Sequence, residues 1–335
     1  MKRLRLGGQL AIGILFSAVL IWLSVRSIDP RDVTRALANA NYWYFLPICA
    51  LTLLAFWVRA IRWGWLLRSV KPIGPSSLFS ATMIGFAANN LLPARLGELV
   101  RPWAIGRRER ISRSSAFATV IVERVVDMFA ILVLLGISLG LHPFPRVIKE
   151  AGFVALAINL GLLFFLIAIE RNPAQAERFA DWIARKLPSP IAPRAASLLR
   201  NFAAGLGVFR HGPGLLWVAF HTGVMFGVTA LGLQACMWAF DLTVPWYAGL
   251  VLLVVTSFGI MVAPTPGYLG AMQYACVLGL SLFGVGKAVG FSFSLYYHLT
   301  QFLPITLVGL FYLGRQGLSL SQVAAASREE VSPSV

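Results

Sequence analysis

Two matching interruptions in an otherwise apolar chain limit its fold more than any other feature. The first runs Asn89-Asn90-Leu91-Leu92-Pro93-Ala94-Arg95-Leu96-Gly97-Glu98, and the second runs Ala263-Pro264-Thr265-Pro266-Gly267-Tyr268-Leu269-Gly270. Both contain Pro-x-x-Leu-Gly between apolar stretches. Proline removes a backbone donor and glycine weakens a helix, so each motif breaks regular structure. Lipid cannot satisfy the N–H and C=O groups that a break frees. A broken helix inside a bilayer therefore faces protein or a water-filled cavity. Two such breaks at corresponding points of two half-chains point to a transport site near the midplane. The expected break residues are Pro93, Gly97, Pro264, Pro266, Gly267 and Gly270.

The bilayer itself is inferred from composition. Of 335 residues, 58% are hydrophobic and only 13% charged, whereas soluble domains carry about 25% charged residues. The net charge of +16 would suggest nucleic acid in a soluble protein. Here the cations lie between apolar runs, where the positive-inside rule and anionic headgroups account for them, so no nucleic-acid partner is expected. Cys49, Cys236 and Cys276 sit in apolar stretches without metal-ligand spacing. None of the four histidines (His142, His211, His221, His298) forms an H-E-x-x-H pattern, and no Walker A, G-x-S-x-G or G-x-G-x-x-G motif occurs. The expectation is no metal, no cofactor and no catalytic residue. The N-terminus has the basic and apolar parts of a signal peptide, but the charged stretch Arg26 to Arg35 spoils the spacing to a cleavage site. An uncleaved first membrane helix is the expectation.

Apolar runs long enough to span occur at about 10–25, 43–58, 115–140, 151–169, 214–240 and 288–313. The regions 76–105 and 246–284 are apolar but broken, and each reads as a re-entrant hairpin. Charge favours that over full crossing. With both hairpins and a cytoplasmic N-terminus, 22 Lys and Arg fall inside and 6 outside. If the arm 76–93 crosses instead, the split worsens to about 18 against 10. The fold class is thus an all-α polytopic membrane protein, with about six full transmembrane helices and two re-entrant helical hairpins.

The hairpin reading also makes residues 43–140 and 214–313 repeats of opposite topology. The motif proline falls 50 residues into the first and 52 into the second. The expectation is one integral membrane domain over 1–318, an amphipathic cytoplasmic segment at about 170–213, and a disordered tail at 319–335. Both termini would be cytoplasmic. Asp29-Pro30 should start a short interfacial helix. Tyr42-Trp43-Tyr44 should form an aromatic belt. Two amphipathic patterns, Phe179/Trp182/Ile183/Leu187 and Leu198/Leu199/Phe202/Leu206/Phe209, suit either the membrane surface or the underside of the bundle.

Glu123, Arg124 and Asp127 fall near the middle of the run 115–140, where each charge costs at least about 2.5–3.5 kcal/mol unless paired or hydrated. Glu123 and Asp127, four residues apart, share a helix face and repel. Cations must meet them, and Arg95, Arg101 and Arg124 are the candidates. A cytoplasm-facing polar cavity built from Arg95, Glu98, Arg101, Glu123 and Asp127 follows. The competing reading is an ion network that only pins the hairpin. Asn89 and Asn90 either satisfy freed backbone or bind a headgroup. Arg59 and Arg62, beside Trp57, Trp63 and Trp65, read as interface anchors or as phosphate-gathering groups. In the second hairpin, Tyr268, Gln273 and Tyr274 stand where the first carries charge.

The stretch Asn89 to Arg113, the segment Val122-Glu123-Arg124-Val125-Val126-Asp127 and the motif Pro264 to Gly270 together resemble the membrane region of lysylphosphatidylglycerol synthetases. That region also occurs alone in flippase-like proteins of bacteria and archaea. The resemblance implies a helical fold with re-entrant elements and a role in moving lipids between leaflets. Full-length synthetases add a cytosolic aminoacyl transferase domain that this chain lacks. Stand-alone members have also been linked to polyprenyl-lipid glycosylation. The sequence is therefore read as a lipid flippase of a bacterial cytoplasmic membrane, with phospholipid or polyprenyl-phosphate lipid as partner. The alternatives are an enzyme or accessory subunit acting on polyprenyl-phosphate lipids, with Glu123 or Asp127 as general base, or a scaffold for a separate lipid-modifying enzyme.

Overall fold

A computed structural model describes residues 2–92, 96–172, 177–178, 181–182, 192–206, 212–262, 265–320 and 322–323, all helical or connecting, with no strand among them. The first helix, α1 (Lys2–Val25), turns sharply into α2 (Pro30–Ala38), and the pair is bent by 84°. Asp29 caps α2, accepting the Arg31 N–H at 2.8 Å, and Pro30 occupies the first turn, where its missing donor costs nothing. A short turn over Tyr42–Tyr44 leads into α3 (Phe45–Leu67).

The first broken region folds as a helical hairpin. Its arms are α4 (Pro75–Leu91) and α5 (Gly97–Glu109), of 17 and 13 residues. At 1.5 Å per residue they measure about 26 and 20 Å, short of the ~30 Å hydrocarbon core. They run antiparallel and in close contact. A Cβ on Gly97 would collide with the Gly85 carbonyl oxygen and reach within 2.6 Å of Asn89 Oδ1. Only hydrogen at this position lets the two backbones meet.

Two long helices follow, α6 (Arg113–Leu141) and α7 (Arg146–Arg171). The next described helix, α8 (Ala192–Gly205), lies against the start of α6. Ser114 and Ser115 donate their hydroxyls to the carbonyls of Leu198 and Asn201 at 2.7 Å. The second amphipathic pattern thus packs on the bundle rather than lying free on a surface. Phe179, Ile183, Leu187 and Phe209 lie outside the described residues.

The second half repeats the sequence of shapes. After α9 (Gly212–Ala239) come α10 (Ala248–Val262), a turn over Pro266–Tyr268, and α11 (Ala271–Ser281). A Cβ on Gly259 would lie 2.6 Å from Ala275 Cβ, and one on Gly279 would lie 2.5 Å from Leu252, so α10 and α11 are also antiparallel neighbours. With 15 and 11 residues, they span about 22 and 16 Å. Neither arm crosses a bilayer by length, although the sequence left room for both to do so. The last long helix is α12 (Lys287–Arg315).

Helices α3 and α9 pack along each other between the halves. Around them, α3, α4, α5 and α6 contact in series, as do α9, α10, α11 and α12. The halves also exchange a helix: α12 packs on α4, and α6 packs on α10. One core gathers Trp63, Leu66, Met83, Ile84 and Ile105 with the end of α12, and a second gathers Ile48, Leu233, Cys236, Leu252 and Phe293. Leu318 and Val323 are buried in the first core, so packing extends past residue 318.

Among the described residues, three helices are long and apolar enough to cross a membrane: Tyr42–Leu67, Ile148–Arg171 and Pro213–Ala239. Counting the bent pair α1–α2 as one span makes four. That is fewer than the six uninterrupted spans expected from the sequence. Large apolar side chains such as Phe153, Ile158, Phe164, Leu216 and Phe220 point outward. In water such a surface would be an association hazard, whereas in lipid it is the ordinary exterior.

Candidate functional site

Glu123 and Asp127 sit on one face of α6, one turn apart, and both are buried. Left alone they would repel, and desolvation would add to the cost. Four arginines from three helices meet them. Arg59 Nη1 donates to Glu123 Oε1 at 2.9 Å and to Asp127 Oδ2 at 3.1 Å. Arg62 reaches Asp127 through Nη1 and lies 3.2 Å from Glu123 through Nη2. Arg101 donates to Glu123 from α5 at 3.0 Å. Arg124 is the loosest member, 3.6 Å from Glu123 and 3.9 Å from Asp127.

The cluster ties the two halves together. Arg62 Nη1 also donates to the Thr222 hydroxyl of α9 at 3.0 Å, and that hydroxyl donates to the Val218 carbonyl at 2.7 Å. Arg101 stacks over the Trp63 ring at 3.9 Å, and Trp63 Nε1 donates to Thr119 Oγ1 at 3.0 Å. These contacts hold a planar guanidinium in one orientation, which a flexible ammonium would not maintain.

In front of the cluster lies a cavity of about 410 Å³ between the halves. One wall is charged and carries Arg59, Glu98, Arg124 and Asp127. Asn90, Thr52 and Gln301 add polar groups, and Gln301 Nε2 donates to Thr52 Oγ1 at 2.7 Å. The rest of the lining is largely apolar and comes from both halves, with Phe56, Met128 and Ile131 from the first and Met225, Phe226 and Leu253 from the second. The arrangement suits an amphiphile.

Of the residues the sequence nominated, Asn90, Glu98, Arg124 and Asp127 line this cavity. Glu123, Arg101 and Asn89 do not. They are buried behind the wall, because the ring of guanidiniums that neutralises Glu123 also seals it. Asn90 donates to Thr306 Oγ1 at 3.0 Å. Arg95, Pro93 and Pro264 lie outside the described residues.

The second break presents Tyr268 to the cavity, with the backbone left-handed at Gly267 (φ 57°), Tyr268 (φ 61°) and Gly270 (φ 83°). A left-handed tyrosine costs on the order of 1–3 kcal/mol, which the surrounding structure must offset. Gln273 and Tyr274 do not line the central cavity with it. The Gln273 side-chain Oε1 accepts the Gly270 N–H at 2.7 Å, which draws the side chain back to the break, and its Nε2 lies 3.3 Å from His298 Nδ1. Tyr274, one position further round the helix, points outward. Gln273 instead borders a lateral apolar groove with Tyr42, Phe45 and Leu299. His298 borders both spaces.

The two breaks also meet. A Cβ on Gly267 would lie 3.2 Å from the Asn90 carbonyl oxygen. Helix α1 closes over the second break, where Ser17 Oγ donates to the Leu269 carbonyl at 2.7 Å.

The sequence matches the family model for the lysylphosphatidylglycerol synthase TM region over residues 10–309, most of the chain. The chain belongs to that family. It is similar to a UPF0104 membrane protein of Methanothermobacter thermautotrophicus, 27% identical over 93% of this chain and 97% of that one. It is also similar to the UPF0104 membrane protein MJ1078 of Methanocaldococcus jannaschii, 26% identical over 67% of this chain and 93% of the relative. A shorter likeness, 30% identical over 128 residues, is to the glycosyltransferase AglD of Haloferax volcanii and covers 38% of this chain and 20% of that protein. These relatives are archaeal, and no solved structure matches. The chain is a helical membrane protein of this family.

The arginine partners were not recognised from the sequence as a set. Arg59 and Arg62 lie three apart on α3, and Glu123 and Asp127 four apart on α6. Both spacings make one helical stripe. Matching an unpaired basic stripe to an unpaired acidic stripe was the available signal.

Proposed function

We propose that this protein moves a polar-headgroup lipid between the leaflets of the cytoplasmic membrane without consuming ATP. The observation that carries the reading is the cavity between the halves, which sets Arg59, Glu98, Arg124 and Asp127 within a largely apolar lining. A headgroup takes the charged wall while the tails remain in contact with apolar side chains or bilayer. The matched contact pattern of the halves, each with a broken hairpin, supports an inverted repeat whose units rock around the cavity. On this reading the two hairpins are re-entrant, the long helices supply about six crossings, and both termini face the cytoplasm.

The burial of Glu123 behind four guanidiniums argues against its use as a general base, since no reacting atom can approach it. The likeness to a glycosyltransferase favours, as a second reading, a membrane subunit working beside an enzyme that modifies polyprenyl-phosphate lipids. Reconstitution into liposomes with labelled lipids separates the two. Transbilayer movement of lipid without a covalent product is the expected result. A modified lipid, or no movement above that of protein-free vesicles, would overturn it.

A further inference from the structure

The charge on the cavity wall specifies what the headgroup must carry. This inference rests on the transport reading for its meaning but not for its test. Among the described residues, the cluster and wall hold four guanidiniums (Arg59, Arg62, Arg101, Arg124) against three carboxylates (Glu98, Glu123, Asp127). The cations are not equivalent. Arg62 and Arg101 are sealed in the interior and spent on Asp127 and Glu123. Arg59 and Arg124 reach the cavity. Arg124 has the longest ion pairs of the set and its side chain is 40% exposed, so its guanidinium turns donors toward the cavity. A charge-assisted bond from those donors to an oxyanion would complete what the carboxylates of the cluster leave loose.

We propose that Arg124, with Arg59 beside it, forms an anion site that grips the phosphate of the lipid, and that the protein selects net-anionic headgroups over zwitterionic ones. The planar fork of arginine can span two oxygens of one phosphate, which fixes the headgroup while the apolar part of the lining accepts the start of its chains. Of the carboxylates on the wall, Asp127 is already met by Arg62 and Arg59. With Glu98 counted, the four guanidiniums still exceed the three carboxylates by one charge.

The test uses the purified full chain in detergent, with native mass spectrometry reading the binding of short-chain phosphatidylglycerol and phosphatidylcholine. The wild type is expected to prefer phosphatidylglycerol by about tenfold. Arg124→Gln should bring the preference within about twofold, and Arg124→Lys should retain part of it. Arg124 is the variant of choice because its loose pairing makes it the member the cluster can best lose. Competition by inorganic phosphate would assign recognition to the phosphate alone, and competition only by the intact lipid would assign it to phosphate and chain together. Both agree with the proposal. Equal affinity for the two lipids, or a preference that survives both Arg124→Gln and Arg59→Gln, overturns it. The transport reading fails separately. If labelled phosphatidylglycerol and phosphatidylcholine cross vesicles at equal rates, movement stands and selectivity falls. Selective binding without movement leaves the site and removes the flippase.

Discussion

Glu123→Gln is the substitution that tests the buried cluster most directly. It keeps shape and removes one charge from a site with no solvent exposure. Arg62 keeps Asp127 as a partner, but Arg101, on α5, pairs with Glu123 and meets no other carboxylate among the described residues. Its Nε and Nη2 already lack hydrogen-bond partners. The variant therefore strands a guanidinium in the interior, and breaking a buried pair in this way costs about 3–5 kcal/mol. The exposed pair Arg35–Asp32, 3.6 Å apart, should contribute no more than about 1 kcal/mol. Equilibrium unfolding in mixed detergent, followed by tryptophan fluorescence, can read both. Trp63 stacks on Arg101 and should report the loss locally. A double replacement, Glu123→Leu with Arg101→Met, removes both charges and should recover most of the stability, because an apolar pair of similar volume is often no worse than a buried ion pair. A cost below about 1 kcal/mol for Glu123→Gln would refute the reasoning, since it would mean that water reaches the guanidiniums.

Other expectations concern backbone approach and hydrogen bonding. Gly97→Ala should cost about 1–3 kcal/mol or block assembly of the first hairpin, because its Cβ meets the Gly85 carbonyl; limited proteolysis between α4 and α5 would detect the opening. Gly309→Ala, which meets Ala87 and Met83, should loosen α12 from α4 by a similar amount. Gly136→Ala meets nothing within 4 Å and should instead stabilise α6 by up to about 1 kcal/mol. Thr119→Val removes the acceptor for Trp63 Nε1 and should cost about 1–3 kcal/mol, with a blue-shifted indole band as the local sign.

Much of the architecture is legible in the chain because Pro93, Gly97, Pro266 and Gly270 act through local backbone chemistry. A missing N–H or Cβ has the same effect wherever it occurs, so both breaks could be placed before any contact was known. The acids Glu123 and Asp127 were legible for a similar reason: charge in an apolar run demands a partner. Which partner answers is a long-range fact. Arg59 and Arg62 are more than 60 residues away from them, and the nearby tryptophans favour interface anchoring when the sequence alone is read. The role of Gln273 depended on where its own helix began, at the left-handed Gly270, which spacing alone does not reveal.

The encounter of Gly267 with the Asn90 carbonyl sets main chain against main chain. Side-chain contacts absorb small displacements by changing rotamer, whereas a backbone contact has no rotamer to change. A shift at one break therefore presses directly on the backbone of the other, although the two residues lie 177 positions apart in the sequence.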